Sequence, residues 1–181
     1  MLFVTPPSTK VPEADEPDVA QFRAEGRASW WTPEKLLDRV RWMAEEVGPY
    51  DGLLPLIERR YRLLERTADY ELWVIYWPEG PGLSLHDHGG SAGAFHVIGG
   101  ALEETGTTRR GLRLRRRRLE GGQGRSFGPE HVHGIINPHA APATSVHAYS
   151  PPLTSMTFYS KLPTGLVATR VVTDWEGAPP D

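Results

Sequence analysis

Three histidines stand at positions that suggest a metal site. His86 and His88 are two residues apart, and His133 follows in a later apolar run. Because side chains alternate along a β-strand, residues i and i+2 point to the same face, so both imidazoles of the pair can reach one ion. His133 completes a three-histidine set if its strand lies beside theirs, although His131 competes with it. Alone, such a pair is more often a set of polar residues on an exposed strand.

A second group of polar residues also follows strand alternation. Ser145, His147 and Tyr149 occupy positions i, i+2 and i+4 and therefore share one face, while Val146 and Ala148 occupy the other. A strand with a polar outer face has the same pattern. Since the segment lies among other apolar runs, we interpret the polar face as the inside of a barrel.

The first histidine pair is embedded in a pattern that resembles the first cupin motif. Gly80 precedes His86 by six positions, and Gly100 lies at a fitting distance beyond. The glutamate of the usual motif falls at Gly93, so no carboxylate is supplied there. A neutral three-histidine face leaves a divalent metal with its full positive charge and open positions, which favours an anionic ligand such as a thiolate.

The later segments make the resemblance more specific. His133 is followed by Asn137, as at the end of the second cupin motif. The combination is similar to the cysteine dioxygenase family over roughly residues 50–160. The matching segments are His-Asp-His (86–88), Gly-Gly-Ser-Ala-Gly-Ala-Phe (89–95), Gly-Ala-Leu-Glu-Glu (100–104), His133 with Asn137, and Ser-Val-His-Ala-Tyr-Ser-Pro-Pro (145–152).

The resemblance implies a specific enzyme. It implies a mononuclear Fe(II) site held by His86, His88 and His133, and an oxidoreductase that converts a small thiol, with cysteine favoured, to its sulfinic acid with O2. It also implies that Ser145 orients His147, which orients Tyr149 beside the substrate. The alternatives are a dioxygenase for another thiol such as 3-mercaptopropionate, or a three-histidine cupin enzyme or binding module with a different ligand.

The resemblance further implies an arginine that binds the substrate carboxylate. Arg62 is the best match, with Arg60 and Arg66 as alternatives. An arginine suits this role because its planar guanidinium pairs with a carboxylate through two hydrogen bonds. Some family members link the active-site tyrosine to a cysteine, and the matching position here is Gly93. Tyr149 is therefore expected to be unmodified.

The elements that carry these residues are predicted to form a mainly β fold. Strand-like runs follow one another between turn residues, which is typical of an antiparallel sandwich or barrel. With the resemblance, they predict a cupin, a double-stranded β-helix with a jelly-roll-like barrel. The runs are Tyr70–Trp77, Gly93–Ile98, Ala101–Thr105, Gly111–Leu119, His131–Ile136, Thr144–Tyr149, Thr154–Tyr159 and Leu166–Val172.

The N-terminal part is predicted to be helical. Residues 1–17 are Pro-rich and acidic and are predicted to form a flexible arm; residues 18–181 are predicted to form a single domain with N-terminal helices to about residue 66. Thr32-Pro33 is a typical helix start, and Gly48 suits the end of that helix. A second helix is predicted from about Gly52 to Leu64.

Composition excludes several classes of site and partner. The 181 residues contain no cysteine, so disulfides and cysteine-based metal sites are excluded. The formal net charge is −3, and the basic run Arg109–Arg118 is interpreted as an edge strand, so we expect no nucleic-acid partner. The sequence shows no signal peptide or membrane-length apolar run. We expect a cytoplasmic protein with no membrane partner, with a monomer favoured and the oligomeric state left open.

Overall fold

Two antiparallel β-sheets lie face to face, and one helix covers the outer side of the first. The computed structural model describes residues 31–49, 56–108, 111 and 113–173. The predicted flexible arm, residues 1–17, lies outside these ranges. The prediction of a mainly β fold is confirmed, since eleven strands and one helix make up the regular structure of the described residues.

The strands form one sheet of five and one of six. The five-stranded sheet has the order β1-β2-β9-β4-β7, and the six-stranded sheet has the order β11-β10-β3-β8-β5-β6. Their bounds are β1 Arg60–Arg66, β2 Glu71–Trp77, β3 Gly80–His86, β4 Ala92–Gly99, β5 Ala101–Thr108, β6 Arg115–Glu120, β7 Gly124–Phe127, β8 His131–Asn137, β9 Ala143–Ser150, β10 Ser155–Leu162 and β11 Gly165–Thr173.

Helix α1 spans Pro33–Val47 and begins as the sequence predicts. The Thr32 hydroxyl accepts a hydrogen bond from the Lys35 amide at 3.3 Å, and proline occupies the first turn. Leu36 and Val40 are fully buried against the outer face of the five-stranded sheet. There they meet Val146, whose side chain points away from the polar face of β9, as the alternation predicts.

The space between the sheets contains the main apolar core. Trp73, Ile75 and Trp77 project into it from β2, and Leu72 packs on the helix side. The central strand β2 is therefore buried on both faces, as its continuous apolar sequence predicts. This arrangement places the polar face of β9, the neighbour of β2, toward the interior of the barrel.

The second predicted helix is wrong over the described residues. Arg60–Arg66 is strand β1, paired antiparallel with β2 from Arg60 opposite Tyr76 to Arg66 opposite Glu71. The register shifts between Leu63 and Glu65, so one extra residue sits in the strand. Tyr61 and Leu64 lie in different apolar clusters, because residues three apart on a strand face opposite sides, although the same spacing resembles a helical stripe. Residues 52–55 of the predicted helix lie outside the described ranges.

The basic run forms an edge strand where the structure describes it. β6 contains four consecutive exposed arginines and lies at the end of the six-stranded sheet, as predicted. Residues 109, 110 and 112 lie outside the described ranges. Arg116 faces Glu103 of β5 at 3.6 Å across the strand pair. In the described part of the chain, no helix has the length and apolar character needed to cross a membrane.

Candidate metal centre

The three predicted histidines converge between the sheets. β3 and β8 are neighbours, and His86 is directly opposite His133 in their pairing. His88 lies two residues beyond His86, just after β3 ends. One ring nitrogen from each of the three lies within 4.8 Å of those of the other two, and each residue is 1% exposed. The strand order thus assembles a compact three-imidazole face from two distant parts of the sequence.

Asp87 anchors the turn that carries His88. One carboxylate oxygen accepts hydrogen bonds from the amides of Gly89 and Thr157, each at 3.1 Å. The other oxygen accepts the hydroxyl of Tyr159 at 2.7 Å. Because Thr157 and Tyr159 belong to β10, these bonds fix the turn to the neighbouring strand. His88 is therefore positioned by a buried carboxylate although it lies outside regular structure.

The hydrogen bonds of the three rings leave nitrogen atoms suited to a metal. Nδ1 of His86 lies 2.7 Å from the carbonyl oxygen of Ser84, and Nδ1 of His133 lies 2.9 Å from Glu104 Oε1. Both rings keep Nε2 for another partner. Nε2 of His88 is buried and has no hydrogen-bond partner among the described residues. A buried imidazole nitrogen without a partner is costly, and a metal ion would satisfy it.

The electrostatics also favour metal ligation. Burial lowers the pKa of His86 and His88 well below the usual value, and the neighbouring His133 lowers both further. Burial likewise lowers the pKa of His133, although Glu104 opposes the effect. The three rings are therefore neutral at neutral pH. Neutral imidazole is the form that binds a metal, and no proton has to be displaced first.

The Ser145–His147–Tyr149 relay is present as a hydrogen-bonded row on β9. Ser145 Oγ lies 2.8 Å from His147 Nε2, and the Tyr149 hydroxyl lies 3.4 Å from His147 Nδ1. The indole of Trp77 extends the row, since its N–H donates to Ser145 Oγ at 2.8 Å. We did not predict Trp77 as part of the row. Its place on the inner face of the neighbouring strand is the signal that identifies it.

Burial sets the protonation states of the relay. It lowers the pKa of His147 to about 3 and raises the pKa of the Tyr149 hydroxyl, which the nearby Glu71 carboxylate raises further. The imidazole is therefore neutral and the phenol protonated at neutral pH. The arrangement can hold a hydroxyl hydrogen in a fixed place, and Tyr149 is the end of the row that reaches the histidine site.

Gly93 provides space for an aromatic ring beside the histidines. A Cβ atom at Gly93 would lie 2.5 Å from Phe127 Cζ, so a side chain at this position would displace that ring. Phe127 stacks on His88 with ring centroids 5.0 Å apart, and Tyr149 also stacks on His88 with centroids 4.9 Å apart. His88 is thus held between two aromatic rings. The position implied for a cross-linking cysteine is packed against Phe127 instead.

A narrow apolar cavity adjoins Tyr149, and one arginine borders it. The lining side chains are Arg59, Trp73, Ile75, Leu83, Tyr149, Leu153 and Met156. The guanidinium of Arg59 lies over the Trp77 ring, 5.8 Å from its centroid. Its charge adds to burial in lowering the pKa of His86 and of His147. Arg59 is therefore a cation at the Tyr149 side of the candidate site.

The three arginines predicted from the sequence lie elsewhere. Arg60 and Arg62 line a groove on the outer side of β1, because they pair with Tyr76 and Val74 of the outer face of β2. Arg66 binds the buried carboxylate of Glu71, with nitrogen–oxygen distances of 2.6 and 2.8 Å. None of these three arginines lines the cavity beside Tyr149. A strand alternation through Arg59, Tyr61 and Leu63, with the last two on the core, would have identified Arg59.

Comparison with known families agrees with this site. The family model described as cysteine dioxygenase type I matches residues 53–162, more than half of the chain. The chain belongs to the cysteine dioxygenase type I family. The match begins before β1 and ends with β10, so it includes every residue of the three-histidine site and the relay. The resemblance predicted from the sequence is confirmed.

Several solved structures resemble the chain at low sequence identity. The cupin domain of Schizosaccharomyces pombe Cnp3 has 13% identity, with a TM-score of 0.47 over 57% of this chain and 68% of that one. KdgF from Halomonas sp. has 20% identity, with a TM-score of 0.45 over 59% and 90%. A Klebsiella pneumoniae protein with a double-stranded β-helix domain has 21% identity, with a TM-score of 0.44 over 60% and 86%. No curated protein matches the sequence.

The family and the geometry lead to a common conclusion. The predicted fold class, a mainly β cupin, is confirmed. The buried histidines form a site suited to a metal ion, and the family is one of oxidoreductases by its description. This member of the cysteine dioxygenase type I family is a metal-dependent cupin enzyme.

Proposed function

We propose that the protein is an iron(II)-dependent dioxygenase that oxidises a small carboxylate-bearing thiol, with cysteine favoured, to its sulfinic acid. The observation that carries the proposal is the face of His86, His88 and His133, a candidate ligand set among the described residues that consists of imidazoles alone and lies beside Tyr149. In the reaction both atoms of O2 pass to the sulfur, R–SH + O2 → R–SO2H. The sulfur loses four electrons and O2 gains them, so no other reductant is required.

The proposed role of the three histidines is to hold the iron while leaving positions for ligands. His86, His88 and His133 supply three neutral donors. Iron bound there would supply the redox chemistry with O2 and a Lewis-acidic site for a thiolate. With no protein carboxylate at Gly93, an anionic ligand for the metal is left to come from the substrate. This is the donor set that favours a thiol over a neutral substrate.

Arg59 is proposed to bind the carboxylate of the substrate. It borders the cavity next to Tyr149, and its guanidinium lies over the ring of Trp77. Held there, the guanidinium presents a planar set of donors that matches a carboxylate. The apolar side chains of Leu83, Leu153 and Met156 enclose the same cavity and exclude water from it. Exclusion of water strengthens the ion pair between Arg59 and the substrate.

Tyr149 is proposed to act on the reacting sulfur and oxygen atoms through its hydroxyl. Its ring stacks on His88, and its hydroxyl is the end of the row that begins at Trp77. The raised pKa of the phenol keeps it protonated, so it can donate a hydrogen bond to an anionic group. His147 and Ser145 are proposed to position this hydroxyl and do not themselves contact the substrate.

Oxygen uptake with iron-loaded protein tests the function. We expect O2 consumption with cysteine and a product heavier by two oxygen atoms by mass spectrometry, with both atoms from labelled O2. Zinc-loaded protein and the His86→Ala variant serve as controls and should consume no O2. Uptake with 3-mercaptopropionate but not with cysteine would change the substrate within the same chemistry. If iron binds tightly and no thiol supports O2 uptake, the thiol dioxygenase proposal is wrong.

A further inference from the structure

A fully buried carboxylate lies directly behind one of the proposed iron ligands. Glu104 on β5 is 0% exposed, and its Oε1 lies 2.9 Å from His133 Nδ1. The same oxygen lies 2.9 Å from Nε2 of His131, the second histidine of β8. The other oxygen, Oε2, accepts a hydrogen bond from the Arg125 guanidinium. Glu104 therefore holds two histidines and one arginine at once.

The hydrogen atoms in this cluster have a defined arrangement. An ionised carboxylate only accepts hydrogen bonds, so both histidines must donate to it. His133 must then carry its proton on Nδ1, and His131 must carry its proton on Nε2. The Nδ1–H form of His133 leaves an electron pair on Nε2, the nitrogen available to the three-histidine face. The hydrogen-bond pattern thus selects the tautomer of His133 that can bind a metal.

Residues from several strands contribute to the cluster around Glu104. Arg125 belongs to β7 of the five-stranded sheet and Glu104 to the six-stranded sheet, so their contact joins the two sheets. A Cβ atom at Gly106 would lie 2.9 Å from Cε1 of His131, so a residue without a side chain lets that ring approach Glu104. Burying Glu104 is costly, and its hydrogen bonds to His131, His133 and Arg125 offset the cost.

We propose that Glu104 is a positioning residue for the metal site: it fixes the tautomer and orientation of His133, with His131 and Arg125 holding the carboxylate in place. The proposal rests on the metal site of the proposed function but does not depend on which thiol is used. It has a consequence for charge. The cupin carboxylate missing at Gly93 is replaced by one placed behind a ligand, which adds negative charge near the metal without occupying one of its open positions.

Cobalt(II) binding and histidine NMR test the proposal without an activity assay. Glu104→Gln keeps the size of the side chain and removes its charge, and we expect it to weaken Co(II) binding by about 10–100-fold and to alter the visible Co(II) spectrum. Glu103→Gln is the matched control, since Glu103 lies next on the same strand and pairs with Arg116 on the outside. It should bind Co(II) as the wild-type protein does. Circular dichroism verifies that both variants are folded.

Long-range ¹H–¹⁵N NMR of the wild-type apoprotein provides a measurement that needs no variant. We expect His133 as the Nδ1–H tautomer and His131 as the Nε2–H tautomer. An Nε2–H tautomer of His133, or unchanged Co(II) affinity in a folded Glu104→Gln protein, overturns the proposal. If Glu104→Gln does not fold, Arg125→Gln replaces it. We expect Arg125→Gln to weaken Co(II) binding by less than Glu104→Gln would. Unchanged Co(II) affinity in the folded Arg125→Gln protein would count against the proposal. If the wild-type protein binds no Co(II), the proposed function fails. The tautomers of His133 and His131 in the apoprotein still test whether Glu104 positions His133.

Discussion

The ring of Tyr149 lies against the ring of His88, with centroids 4.9 Å apart and planes inclined by 28°. One side chain thus packs against a proposed metal ligand and places its hydroxyl in the row that includes His147. The two contributions are separable by substitution, because the ring and the hydroxyl are different parts of the same residue.

Replacing Tyr149 by Phe should retain the metal and slow the reaction. The ring still packs on His88, while the hydroxyl donor is lost. We expect iron content to be unchanged and kcat for O2 uptake to fall on the order of 100-fold, the usual effect of losing one positioned proton donor. Tyr61→Phe is a control on the same interior side of the sheet, and it should leave iron content and kcat unchanged. Full activity of Tyr149→Phe would remove the hydroxyl from the mechanism.

Replacing His133 by Ala should abolish tight metal binding while the fold remains. The two remaining histidines, His86 and His88, cannot form a three-donor site, and Glu104 then lacks one of its hydrogen-bond partners. We expect iron to be lost on dialysis, measured by metal analysis, with the β-sheet spectrum retained. Replacing His139 by Ala serves as a control outside the site. If His133→Ala retains stoichiometric iron, His131 becomes the ligand instead.

Replacing Arg59 by Gln should weaken the use of carboxylate-bearing thiols. The charge that would pair with the substrate is lost, so KM for cysteine should rise by at least about tenfold, the equivalent of losing one charge-assisted hydrogen-bonded contact. Cysteamine, which has no carboxylate, should respond little. Arg62→Gln is the matched control because its side chain lies on the outer side of β1. A larger effect from Arg62→Gln would restore the assignment predicted from the sequence.

Replacing Gly93 by Ala should destabilise the protein through Phe127. The added methyl would lie within 2.5 Å of that ring and 3.1 Å from the Ala148 carbonyl oxygen. We expect the free energy of unfolding to fall by about 1–3 kcal/mol in a denaturant titration, the usual cost of overpacking a core. Gly128→Ala is the control, since a Cβ there has no atom within 4 Å. Equal stability of the two variants would show that Phe127 moves aside freely.

The stability of the metal-free protein should fall in mild acid, and His147 should account for part of the loss. Its pKa is about 3 in the folded protein because of burial, against about 6.5 when unfolded. Below about pH 6.5 the unfolded chain gains a proton that the folded protein excludes, so stability decreases as pH falls toward 3. When the pH falls from 7.5 to 5, the free energy of unfolding of His147→Gln should decrease by about 2 kcal/mol less than that of the wild-type protein. Equal losses would contradict the buried neutral state.

The sequence signals for the three-histidine cluster and for the polar row of β9 are local and periodic. The pair His86 and His88 and the alternation from Ser145 to Tyr149 depend only on strand geometry. Joining His133 to them required the strand order, which the family resemblance supplied. Trp77 and Glu104 were not predicted because their roles depend on which strands are neighbours, and that pairing is not contained in either residue's own segment.

The proposed substrate arginine shows why register matters. A one-residue slip moves every side chain of a strand to the other face. The region before β2 was predicted as a helix, since Tyr61 and Leu64 are three residues apart, a spacing that also occurs along one face of a helix. Without the strand, the alternation that separates Arg59 from Arg60 and Arg62 was not visible.

The hydrogen bond from Trp77 to Ser145 limits the hydrogen arrangements open to the interior row. An indole N–H donates and never accepts, so it occupies one of the two acceptor sites of Ser145 Oγ. When Ser145 donates its own hydrogen to His147 Nε2, the imidazole carries its proton on Nδ1, facing the oxygen of Tyr149. In that arrangement the phenolic hydrogen of Tyr149 is left for a ligand. Trp77, the residue farthest from the ligand cavity along this row, therefore favours a Tyr149 that meets its ligand as a donor.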